Sequence, residues 1–241
     1  MSDEVDTRVS LSLDPERFRL IDGYNDDTRQ FVDGVINAYN DIHQTLGKAH
    51  TARALAESNP ALTPENRVLI VAREVDGAKK RVLARLANAE RDLRANIAHT
   101  ESLLSQPLTE RAGMGTLNGE VRAHLKSLSR SDREKFMTEA LERDDVPTLE
   151  AILGGQPFLS GFTQIDHDHY VRTYHKRKNP QLVRRLDLMK RFLDEIERNT
   201  PVVHAQFDKA IGEKASVVAG LKQLEDQSKA AFAALKIEPT A

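Results

Sequence analysis

The chain has no cysteine and no tryptophan in its 241 residues. Without a thiol, disulfides, Cys-ligated zinc and thiol nucleophiles are excluded, while the redox compartment stays open. Aromatic residues are 5% of the chain, thin for a site that stacks sugars or bases. An excess of one charge is also missing. Thirty-five Lys and Arg against 37 Asp and Glu leave a formal net charge of −2, so no global field draws the protein to nucleic acid or anionic lipid. The apolar run from Val68 to Ala72 is far short of the roughly 20 residues that span a bilayer. The chain starts with the acidic Met1-Ser2-Asp3-Glu4, where a secretory leader would be basic and then apolar. The expectation is a soluble, unprocessed protein of the cytoplasm with no membrane partner.

What is present is helical periodicity. Thr63-Pro64-Glu65 is a helix start: an N-cap hydroxyl, a proline at the first helical position and an acid at the positive end of the dipole. No proline follows until Pro107, and Gly77 is the one glycine on the way. Apolar or small residues recur at Val68, Val71, Val75, Ala78, Val82, Leu86, Ala89, Leu93, Ile97, Thr100 and Leu104. Their spacing of about 3.6 predicts one straight helix, a rod of about 60 Å. Before it, Asp26-Asp27 opens a helix with Phe31, Val35, Ala38, Ile42, Leu46 and Ala49 on one stripe, ended by Asn59-Pro60. The short connection predicts an αα-hairpin.

Pro107 to Gly119 carries three glycines and reads as an exposed loop. Shorter helices follow. Ser131 to Glu134 is a capping box for one that runs to about Arg143. Asp145-Val146-Pro147 opens another, and Gly154-Gly155 suit a left-handed C-cap. Asn179-Pro180 opens a third, burying Leu182, Val183, Leu186, Met189, Leu193 and Ile196. Thr200-Pro201 restarts the chain as a last long helix to about Leu235, with Phe207, Ile211, Val218, Leu221, Leu224, Phe232 and Leu235 as its stripe. The residue before a proline avoids helical geometry, so each X-Pro step marks a boundary.

The fold class expected is all-α: an elongated antiparallel bundle of long helices, two N-terminal and one C-terminal, with a small helical head inserted. The divisions are a polar arm 1–23, a long hairpin 24–107, a head 108–198 and a C-terminal helix 199–241. That last helix packs either on the hairpin or on a neighbouring subunit. In the arm, Val9, Leu11 and Leu13 alternate with serines in the period of a half-buried strand. The segment either packs locally as coil or docks on another subunit.

Two clusters bear on chemistry. Asp166-His167-Asp168-His169, with His175, contains metal-ligand types. An i, i+2 pair shares a face on a strand but not on a helix, and the H-E-x-x-H spacing is absent. The reading is a polar loop with exposed histidines. Arg172, Lys176, Arg177, Lys178, Arg184 and Arg185, beside Tyr170 and Tyr174, form a basic segment within 170–191 that could contact phosphates and stack bases. Acids from Asp187 onward dilute it, and the alternative is a solvated or interface-forming face. Gly113 to Gly119 has the wrong spacing for a dinucleotide fingerprint. The apolar window from Ala151 to Phe162 is expected to pack the core of the head, and serine lacks the G-x-S-x-G elbow.

No catalytic, cofactor or metal constellation emerges. The expectation is a non-enzymatic helical structural or assembly protein that forms homo-oligomers and contacts other protein subunits. One step further is a component of a phage virion's head, tail or connector. The alternative is a nucleic-acid-binding module using 170–191.

Overall fold

A computed structural model describes residues 8–110 and 112–235. Among the described residues the structure is all-α, with nine α-helices: α1 Pro15–Arg19, α2 Asp33–Ser58, α3 Pro64–Leu103, α4 Gly115–Ser127, α5 Arg130–Glu142, α6 Val146–Leu153, α7 Gln164–Lys178, α8 Pro180–Ile211 and α9 Ala215–Ala234. None is long and apolar enough to cross a membrane. The chain divides into two compact units. One takes the residues up to Arg94 and those from Leu188 onward; the other is Ala95–Asp187. The segment 108–198 that the sequence sets apart overlaps the second of these.

In the first unit α3 is the common partner. Its start is as expected, with the Thr63 hydroxyl accepting from the Asn66 N–H at 3.3 Å, and Val71, Val75, Val82, Leu86 and Leu93 are buried. Arg85 pairs with Asp41 of α2 at 2.5 Å. A Cβ on Gly34 would lie 4.0 Å from that of Ala89. The two contacts descend one helix as they climb the other, so α2 is antiparallel to α3. Lys79 to Asp208 and Arg94 to Glu197 do the same for α8, and Arg73 to Glu225 with Asp76 to Lys222 for the start of α9.

Three expectations are corrected here. The first long helix begins at Asp33 rather than Asp26. The Asn25 side chain accepts from the N–H groups of Asp27 and Thr28, which favours a turn over a helix at that point. The restart at Thr200-Pro201 does not happen: Pro201 lies inside α8. Leu188, Met189, Phe192 and Ile196 before it, and Val203, Phe207 and Ala210 after it, are all buried. Keeping that face continuous outweighs the proline's lost N–H. The break falls instead at Gly212, whose φ of +83° glycine adopts without steric cost. Finally, the N-terminal segment packs locally, but as helical turns rather than as coil. Leu11–Leu13 forms a 3-10 turn and α1 follows. Val9, Leu13 and Phe18 are buried in their own unit, and the Phe18 ring lies 4.3 Å from that of Tyr39 on α2 and 5.8 Å from that of Phe192 on α8.

In the second unit α4 to α7 close on a core of Leu125, Met137, Leu141, Leu149, Ile152, Leu153 and Val171. The glycine-rich stretch is helical from Gly115, so only its first part is loop. The α5 cap is Ser129 with Asp132, two residues earlier than expected. Asp145 caps α6 as expected, through the Thr148 N–H. The residue that ends α6, Gly154, has an ordinary helical φ of −80°, so the left-handed reading is wrong. Its use is close approach: a Cβ there would lie 2.7 Å from the Glu110 backbone nitrogen.

Candidate functional site

The histidine cluster lies in a helix, not a loop. Thr163 and Asp166 form a capping box at the start of α7. The Thr163 hydroxyl and N–H donate to the Asp166 carboxylate at 2.7 and 3.1 Å. Those bonds, aided by the fields of Arg130 and Arg133, hold its pKa below the usual carboxylate value. The i, i+2 histidines part to different faces. His167 turns inward, its Nε2 donating to the Leu153 carbonyl at 2.9 Å, and His169 faces solvent. His175 donates to the Gln106 carbonyl at 2.7 Å. Among the described residues no three His, Asp or Glu side chains gather as a metal site would require. These two histidines tie α7 to the last residue of α6 and to the loop after α3, a role the sequence pattern carries no mark of.

The basic segment spans the second half of α7 and the first turns of α8. Arg172, Lys176, Arg177, Lys178 and Arg184 are exposed, and Arg185 is half-buried. Lys178 bridges to Asp144 at 2.5 Å, which raises its pKa, and Arg185 donates to the Thr100 hydroxyl at 3.3 Å. Tyr170 and Tyr174 pack against the core cluster, so they are not laid out as an external stacking platform. Partial burial raises the Tyr170 pKa.

Of the arm residues, Val9 and Leu13 are buried within the chain and Leu11 is exposed. The apolar window splits: Ala151, Ile152 and Leu153 are core, whereas Phe158 and Leu159 are exposed.

Among the described residues, two of the clefts have a volume of about 220 Å³ each. One, in the first unit, is bordered by Arg17, Phe18, Ile21, Glu195, Arg198 and Asn199. There Glu195 accepts from Arg198 at 2.5 Å and from Asn199 at 3.3 Å. The other, in the second unit, has Arg130, Arg133, Glu134, Phe162, Asp166 and Tyr170 on its walls, with Arg130 donating to Glu134 at 3.1 Å. Arg133 donates to the Gly161 carbonyl. In both, these carboxylates are engaged as hydrogen-bond acceptors, an arrangement suited to holding shape.

The largest feature that the sequence pattern misplaces is α9. Leu224, Phe232 and Leu235, expected on a buried stripe, are 62, 67 and 74% exposed, and Val217 is 43% exposed. On this helix Val218 alone is buried. The stripe exists in the sequence; what it faces is not written there. No family model, curated protein or solved structure matches the chain.

Proposed function

We propose that this chain is a non-enzymatic helical assembly protein that works by docking α9 against a second copy of itself. The observation that carries the reading is the uncovered apolar side of α9. Val217, Leu224, Ala231 and Leu235 follow one another at seven, seven and four residues, the spacing of a coiled-coil seam. An antiparallel pairing of two α9 helices centred between Gln227 and Ser228 is self-complementary, as a two-fold interface requires. Leu224 meets Ala231, and Leu235 meets Gly220, where a Cβ would find nothing within 4 Å. Large side chains face small ones across the seam. A virion component, in the head, tail or connector, is the finer form of this proposal, supported by the long helices and the exposed apolar stripe of α9.

Sedimentation velocity over a concentration series tests it. The expected result is reversible self-association that the pair Leu224→Glu and Phe232→Glu abolishes, with helicity unchanged. A monomer at every concentration overturns the reading.

A further inference from the structure

We infer that the outer face of α7, continued by Arg184 of α8, binds the phosphate backbone of nucleic acid. No acid occurs between Asp168 and Asp187, while six Lys and Arg do. Lys178 and Arg185 are occupied within the protein, by Asp144 and Thr100. The remaining four, Arg172, Lys176, Arg177 and Arg184, are exposed and make no ion pair or hydrogen bond among the described residues.

The placement is ordered. His169, Arg172 and Lys176 follow at three and four residues, so they line one exposed stripe with neighbours about 5–6 Å apart. Cations at a helix C-terminus complement its free carbonyls, which accounts locally for Lys176 to Lys178. It does not account for Arg172, two turns back, or for Arg184, near the positive end of the next helix.

The chemistry favours a phosphodiester chain over an acidic protein surface. Protein interfaces are built around buried aromatic or Arg anchors in pockets, and this stripe has none; Tyr170 and Tyr174 are turned to the core. Ile165, at the head of the stripe, is its one apolar side chain, and singly exposed apolar residues are ordinary. Long unpaired cations without a stacking platform read charge and not sequence. Binding is therefore indifferent to base identity and steeply dependent on salt.

The test is fluorescence anisotropy of the full chain with a labelled mixed-sequence single strand and the matching duplex, from low to physiological salt. A poly-glutamate peptide serves as a further arm. Four phosphate contacts predict a log–log salt slope of roughly −3, and each cation removed lowers its magnitude by about 1. The quadruple variant Arg172→Gln, Lys176→Gln, Arg177→Gln and Arg184→Gln should lose most binding. Arg172→Lys, Arg177→Lys and Arg184→Lys together should keep it, which separates charge from folding. No binding to either nucleic acid at low salt, equal binding by the quadruple variant, or binding to poly-glutamate alone overturns the inference. None of these substitutions touches α9, so self-association is read independently.

Discussion

At Gly154 the backbone leaves room for a hydrogen and nothing more. A methyl group there would press on the Glu110 nitrogen and the Glu150 carbonyl, each 2.7 Å from the Cβ position. Both are backbone atoms, which cannot swing aside as a side chain can. Gly154→Ala should destabilise the protein by about 1–3 kcal/mol, seen as a lower urea midpoint with an unchanged m-value. The start of α7 makes a prediction of different sign with pH. The Asp166 carboxyl has a folded pKa below its ordinary value because Thr163 donates to it twice. Its contribution is therefore fully present above about pH 4, the unfolded range, and is lost as pH falls through the lower folded value. Unfolding midpoints measured from neutral to acid pH should show a decline below about pH 4 that is shallower in Asp166→Asn. Thr163→Ala should cost about 1 kcal/mol at neutral pH.

Along whole helices, Pro201 is the place where a local rule and a long-range one disagree. Proline inside a helix costs about 3 kcal/mol against alanine, and the residue before it resists helical geometry. Yet α8 runs through it, with the Thr200 hydroxyl donating back to the Ile196 carbonyl at 2.8 Å. Pro201 is exposed, so alanine there removes no core contact. Pro201→Ala should raise stability by about 1–2 kcal/mol, the restored bond being partly offset by a freer unfolded chain. The same position explains what the sequence could show. Helix starts with a capping side chain and a proline, at Thr63 and Asp145, stood out because their chemistry is local. The α3 period stood out because it runs unbroken along the whole helix, about eleven turns. The course of α8 did not, since burial on both sides of Pro201 depends on α2 and α3, far off in sequence. Nor did the strand-like alternation at Val9, Leu11 and Leu13, where three residues are too few to tell a strand from a 3-10 turn. The basic segment was legible as charge; which cations were already occupied by Asp144 and Thr100 required the fold.

For the molecule as a whole, the question is what covers α9. Its first turns are tied to α3 by Arg73–Glu225 and Asp76–Lys222, and Lys229 also reaches Glu225 at 2.9 Å. These pairs are surface contacts of small energetic weight. They set the direction of the helix and leave its apolar side to another partner. If that partner is a second α9 lying antiparallel, Leu224 faces Ala231 of the other copy at two symmetric sites, whereas in a parallel pair each residue faces itself. Leu224→Glu then carries a carboxylate into the seam against Ala231, and Ala231→Lys carries an ammonium into it against Leu224. Either change alone should weaken self-association by more than about tenfold, since each copy carries an unpaired charge into the seam. The double variant, Leu224→Glu with Ala231→Lys, sets opposite charges against each other at both sites and should recover much of the lost association. A parallel pair, or a partner other than this protein, would give no such rescue. Sedimentation equilibrium of the three variants separates these outcomes, because only a self-complementary antiparallel seam makes the second substitution undo the first.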